Sequence, residues 1–230
     1  VFGVDDDAEE IEFPEDTKCV LPTDIDYKNV KRAVIRNIKK IKGISKFPET
    51  IVIADDKFAN DNIFTICGYL DTTSVSCIEA FKGSGFISKD GVLYSKNMKR
   101  LILCPAKKTG NIIVPEGVTC INHFAFYKAS IDSVAFPSSL KNIRTNAFCG
   151  SKIRKIDFGS GIEKIGGYAG NIFAGCHNLT HVEFPPQVTY IGEGAFLNCT
   201  NLESVTMHEG ISTIGRRAFD LCEKLKSVTL

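Results

Sequence analysis

The chain has 230 residues, a net charge of +1, 43% hydrophobic content and a mean hydropathy of +0.01. The near-neutral balance gives no electrostatic footprint for nucleic acid as a partner, and the apolar content excludes global disorder. No apolar run reaches the ~18 residues of a membrane-spanning helix.

Residues 1–16 carry eight carboxylates, from Asp5 to Asp16. They read as a solvated acidic tail able to fold back on a basic surface. Asp26–Lys42 follows as an amphipathic helix: Tyr27, Val30, Val34, Ile38 and Ile41 step by three or four, Asp24 or Asp26 can cap the start, and Gly43 follows the end. Its other faces are rich in Lys and Arg. Such a helix either caps the open end of a repeat array or lies on a membrane or partner. Residues 1–47 are therefore expected to form an N-terminal cap, and 48–230 the main body. Within 48–81 the repeats are degenerate, with a strand at Thr50–Ala54.

Residues 85–105 are of another kind. Asp90-Gly91 and Lys96–Lys99 are turn signals separating strand-like runs at Phe86–Ser88, Val92–Tyr94 and Leu101–Cys104, which predicts a β-hairpin elaboration within one coil.

From Pro115 onward the chain repeats itself. Five segments, 115–136, 137–158, 159–184, 185–207 and 208–230, run 22, 22, 26, 23 and 23 residues. The last two superpose position by position: Val188, Ile191, Ala195, Phe196, Cys199, Leu202 and Val205 match Ile211, Ile214, Ala218, Phe219, Cys222, Leu225 and Val228. A fixed period of this size is the mark of a solenoid. Each segment ends in an alternating run such as Ser133–Phe136 or His181–Phe184, which predicts one short strand per coil, stacked in parallel. The Ala-Phe pair belongs on an opposite wall, where Ala permits close backbone approach and Phe fills the centre. The 26-residue segment holds a three-residue insertion within Gly166–Gly170, either a functional loop or a glycine bulge.

Nine cysteines are present and no CxxC pair. Cys176, Cys199 and Cys222 recur at one repeat position and read as buried packing thiols; disulfides between neighbouring coils would leave one of them odd. The count favours a reducing or anaerobic setting. Cys176, His177 and His181 lie close in sequence but point apart in a strand-and-turn reading, so a metal is not expected. No phosphate loop, HExxH, GxSxG or acid–base carboxylate pair appears, and no catalytic residue is assigned. Asn178 and Asn198 head glycosylation sequons, which matter only in a eukaryotic secretory pathway.

The consensus Pro-x-x-Val-x-x-Ile-x-x-x-Ala-Phe-x-x-Cys-x-x-Leu-x-x-Val-x-Phe resembles the BspA-like (spirochaete-type) leucine-rich repeat, and the block Ser88–Ile121 resembles a stretch common in that family. The resemblance covers 85–230 and extends in weaker form to about Thr50. It implies an α/β, β-rich, right-handed leucine-rich repeat solenoid with a parallel sheet on its concave face and the N-terminal helix as cap. It also implies a surface or secreted protein of host-associated microbes, used in adhesion or protein binding, with no catalytic residues and no required cofactor.

The default binding surface is the outward side of the sheet. Its candidate residues are Ser133, Lys155, Asp157, His181, Glu183, Ser204 and Thr206, with Lys155, Asp157, His181 and Glu183 side by side in the middle coils. These side chains either grip a protein, a host or matrix protein among the candidates, or simply solvate an exposed sheet. The alternative function is a structural or intracellular scaffold piece of a longer array. It would self-associate through the C-terminal edge, where the last repeat strand at 227–230 has no cap.

Overall fold

A computed structural model describes residues 8–13, 29–36, 47–54, 74–167 and 170–229. The chain divides into two compact units, one comprising Val1–Met98 with Ile102–Lys108, the other Lys99–Leu101 with Thr109–Leu230.

In the first unit, β1 (Glu10–Phe13), β2 (Arg32–Ile35), β3 (Thr50–Ile53) and β4 (Cys77–Ala80) form a four-stranded parallel sheet in that order. Ile11, Ala33, Ile51 and Ile78 stand in one register column, and Phe13, Ile35, Ile53 and Ala80 in another. These columns pack with Phe47, Val75, Phe86, Leu93, Ile102 and Leu103 into one core.

The expected helix over 26–42 is therefore wrong at its centre, because Arg32–Ile35 is a strand. The physical reason is burial on both faces. Ala33, Val34 and Ile35 are all buried, so the strand shows none of the alternation that marks a half-buried one. A short apolar run read with its neighbours then mimics the helical period. Among the described residues no α-helix occurs, so the α/β class becomes a β-solenoid and the helical cap has no support. The outer parts of 26–42 lie outside the described residues, as do Cys19, Cys67 and most of the acidic tail.

The fold-back of acid onto base does take place, but between strands. Lys31 Nζ donates to Glu9 at 2.7 Å, Arg36 pairs with Glu12, and Arg32 reaches Glu10 on one side and Glu79 on the other, the latter at 2.6 Å. All these groups are well exposed, so each pair contributes little stability and mainly fixes register. The strand expected at Thr50–Ala54 is β3. The expected hairpin is β5 (Phe86–Lys89) against β6 (Val92–Ser95), antiparallel, with Asp90 at φ 51° and Gly91 at φ 75°. Two consecutive positive φ values make the turn that matches strand twist, which is what the Asp-Gly pair signals. The third run is β7 (Arg100–Leu103).

The second unit is a stack of coils with three walls. Wall A holds β8 (Asn111–Ile113), β10 (Ser133–Ala135), β12 (Lys155–Asp157), β14 (His181–Glu183), β16 (Ser204–Thr206) and β18 (Ser227–Thr229). Wall B holds β9 (Cys120–Ile121), β11 (Asn142–Ile143), β13 (Lys164–Ile165), β15 (Tyr190–Ile191) and β17 (Thr213–Ile214). The third wall has no strands but is still hydrogen-bonded from coil to coil: the amides of Phe126, Phe148, Phe173 and Phe196 donate to the carbonyls of Ala147, Ile172, Ala195 and Ala218.

Each coil bends around its Phe with two left-handed residues, one two places before the Phe and one two places after it. They are Phe124 and Lys128, Asn146 and Gly150, Asn171 and Gly175, Gly194 and Asn198, Arg217 and Leu221. Six of these ten positions hold Asn or Gly, the residues that tolerate this region best.

The third-wall phenylalanines stack face to face down the axis, Phe126–Phe148–Phe173–Phe196–Phe219, with centroids 4.4, 4.9, 5.2 and 5.4 Å apart. A second column from wall A, Phe136–Phe158–Phe184, meets them edge-on or tilted. The thiol column is packing, as expected. Cys176, Cys199 and Cys222 are free, and each Sγ lies 3.2 Å from the carbonyl of the Phe one coil earlier: Phe148, Phe173 and Phe196. Ser151 takes the same place one coil before, with its Oγ 3.4 Å from Cys176 Sγ. Burial pushes the Cys176 thiol up to about 12, which keeps it protonated and apolar in character.

Candidate protein-binding face

Wall A alternates as the sequence predicts. Val134, Val182 and Val205 point into the core, and their neighbours point out. The outward side chains fall into two columns. One runs Asn111, Ser133 and Lys155, then His181, Ser204 and Ser227. The other runs Ile113, Ala135 and Asp157, then Glu183, Thr206 and Thr229.

The middle of this face is not a continuous sheet. β8, β10 and β12 form one ladder and β14, β16 and β18 another, and wall B opens at the same level, between β11 and β13. Both openings lie between the coil 137–158 and the longer coil 159–184. The extra chain sits between Ile165 and Phe173, so the longer perimeter cannot follow the shorter coil on every side. Of the insertion, Tyr168 and Ala169 lie outside the described residues.

The two coils stay joined elsewhere. On the third wall, Asn146, Phe148 and Gly150 donate to Gly170, Ile172 and Ala174. At the corner, a side chain replaces ladder bonds: Lys141 Nζ donates to Gly161 O at 3.1 Å. In the core, Phe158 bridges Phe136 and Phe184 at 6.1 and 5.5 Å. Ile156 records the opening, since it is half-buried where its counterparts Val134 and Val205 are 1% exposed.

The opening on wall A makes a groove of about 470 Å³ lined by Ser133, Lys155, Asp157, Phe158, Glu183 and Pro185, among others. It brings together four of the seven sequence-predicted residues. His181 is exposed outside the lining, with Nδ1 2.8 Å from Thr180 Oγ1; Ser204 and Thr206 continue the columns beyond it. Asp157 Oδ1 accepts from the Gly159 amide at 2.9 Å. Among the described residues, Lys155 and Glu183 make no ion pair, so one cation and two carboxylates face outward.

Sequence reading missed Ile113. It stands in the second column, 79% exposed, the most exposed large apolar side chain among the described residues. The signal was present in Asn111–Val114, which alternates out and in before Pro115 as every later strand does.

The described residues contain no group of three or more His, Cys, Asp or Glu suited to a metal ion, and no helix long and apolar enough to cross a membrane. Cys176 points into the core, while His177 Nδ1 lies 3.1 Å from Thr200 Oγ1 on the surface.

Several solved structures share the fold. A leucine rich cell surface protein from Faecalibacterium prausnitzii A2-165 is 23% identical with a TM-score of 0.70, covering 96% of this chain and 59% of its own. A leucine-rich repeat protein from Eubacterium ventriosum is 18% identical with a TM-score of 0.61, over 96% and 72%. The pneumococcal vaccine antigen PcpA is 19% identical with a TM-score of 0.61, over 96% and 56%. The chain thus spans between about half and three quarters of the length of these proteins. A search of the curated proteins found no match. The BspA type leucine rich repeat region matches residues 104–226 in six copies, more than half of the sequence, and the chain belongs to that family.

Proposed function

We propose that the protein is a non-catalytic adhesion module of the cell surface, which binds a host or matrix protein through the outward side of wall A. The observation that carries this reading is the pair of outward columns. They put an exposed isoleucine, a lysine, a histidine and two carboxylates on one face, around a groove that the opened ladder has already formed. Mixed charge beside an apolar anchor is the chemistry of selective protein contact, since complementary groups favour one partner and like charges reject others. The fold is generally a protein-interaction one, and the Faecalibacterium and pneumococcal proteins that share it are described as a cell surface protein and a vaccine antigen.

The test is binding of the purified chain to immobilised extracellular-matrix and serum proteins by surface plasmon resonance. For any ligand found, exchanging the charges in Lys155→Glu/Glu183→Lys is expected to weaken binding by roughly tenfold or more, because both partner charges then meet their own sign. The thermal unfolding curve should not move, because these groups are exposed and unpaired. Unchanged affinity would place the site off this face. On intact source cells, an antibody to residues 111–229 is expected to label the surface, and protease shaving to remove the label. Labelling only after lysis would sink the surface reading.

A further inference from the structure

The opening between the coils has a second side. On wall B, β11 and β13 are facing edges of two separate sheets, and between them lies a groove of about 630 Å³. In the coils on either side, Arg144 N donates to Ile121 O and Gly192 N to Ile165 O; the corresponding bond from Gly166 to Ile143 is not made. The groove therefore offers main-chain polar groups as well as side chains.

Its charge is opposite to that of the wall A groove. Lys141, Arg144 and Lys164 line it against one carboxylate, Glu163. Among the described residues, Arg144 and Lys164 have no ion-pair partner, and Lys141 is held only by the Gly161 carbonyl. His123, also in the lining, is held below its ordinary pKa, first by burial and then by the charge of Arg144, whose positive field is left uncompensated.

We propose that this groove binds a short acidic segment of a protein partner, with Arg144 and Lys164 pairing its Asp or Glu carboxylates and Lys141 at the rim. Three cations against one carboxylate call for an anionic occupant. Exposed strand edges suit a peptide, because an extended chain brings its own amides and carbonyls to a sheet edge. The next coil supplies Thr189, Tyr190 and Gly192 at the corresponding positions, and Glu163 interrupts the groove itself, so no long basic track exists for an extended polyanion. The surface is separate from wall A and does not depend on the adhesion reading.

The experiment is fluorescence anisotropy with a labelled octaglutamate peptide and the full chain at low salt, with unlabelled heparin oligosaccharide as competitor. Binding is expected, and it should weaken as salt is raised because the pairing groups are exposed. Arg144→Glu/Lys164→Glu should reduce affinity by about tenfold or more, while the charge-matched Lys224→Glu/Lys226→Glu, outside the groove, should not. If the Glu pair unfolds, Arg144→Gln/Lys164→Gln decides, with a smaller loss expected. The proposal is overturned if the peptide does not bind, if the groove variants bind as tightly as the parent, or if heparin oligosaccharide binds more tightly than the peptide through the same residues.

Discussion

Phe196→Ala is expected to destabilise the second unit by about 3–5 kcal/mol, the cost of deleting a fully buried aromatic and leaving a cavity. Phe196 is 0% exposed and touches three other rings: Phe173 at 5.2 Å, Phe219 at 5.4 Å and Phe184 at 5.7 Å. Phe173 and Phe184 cannot collapse into the space, because their amides are tied to Ala195 O on the third wall and to Thr206 O on wall A. Phe219 stands in the same column with one ring neighbour and is half-buried, so Phe219→Ala should cost only about 1 kcal/mol.

The size of the loss is only part of the expectation. In a stack where each coil touches its neighbours, stability is a sum of coil and interface terms, and a broken interface uncouples the two sides. Urea unfolding of Phe196→Ala should therefore lose its single transition. Amide exchange should quicken over β15–β18 while β8–β12 keep their protection. A uniform loss of protection across the unit would mean that the coils do not behave as nearest-neighbour units. A loss under about 1.5 kcal/mol would mean that the ring stack does not hold the core together.

How much of this was legible depends on which forces set each element. From Pro115 on, strand positions, inward residues and the thiol column were readable because each coil meets the same environment above and below, so the same residue types recur at fixed steps. The Asp90-Gly91 turn was readable because two positive φ angles leave few residues to choose from. Arg32–Ile35 was misread because its environment comes from strands distant in sequence. Val34 is buried by long-range pairing with Glu12 and Val52, and nothing in its own neighbourhood records that.

The outward columns were readable from alternation, but the groove within them was not. It exists because a 26-residue coil rests on a 22-residue one, and where the mismatch opens the stack is decided by close contacts at one corner. The sequence marked the insertion at Gly166–Gly170, whereas the glycines that hold the corner shut are Gly159 and Gly161.

Gly161→Ala is accordingly expected to be costly for so small a change, about 2–4 kcal/mol, through backbone displacement rather than loss of any contact. A Cβ at Gly161 would lie inside van der Waals contact with Ser138 O and 2.7 Å from both Leu140 O and Ser138 C, all main-chain atoms that no rotamer can move. The neighbouring coils carry side chains at this position without strain. Ser139 Oγ accepts from the Gly117 amide at 2.8 Å and donates to Val118 O at 2.9 Å, and Gln187 reaches Gly159 O. The corner at 159–161 is therefore tighter than the others, and it is tight where walls A and B are open. An alanine there pushes apart one of the few places where the two coils are joined.

The internal control is Gly167, on the same coil with a negative φ and nothing within 4 Å of an added Cβ, where alanine should be neutral or slightly stabilising. Chemical denaturation of the two variants should separate them clearly, with exchange at β12 and β14 accelerated in Gly161→Ala alone. If the two substitutions behave alike, the corner is not what holds the opened coils together, and the join rests on the third-wall ladder and on the Phe136–Phe158–Phe184 column.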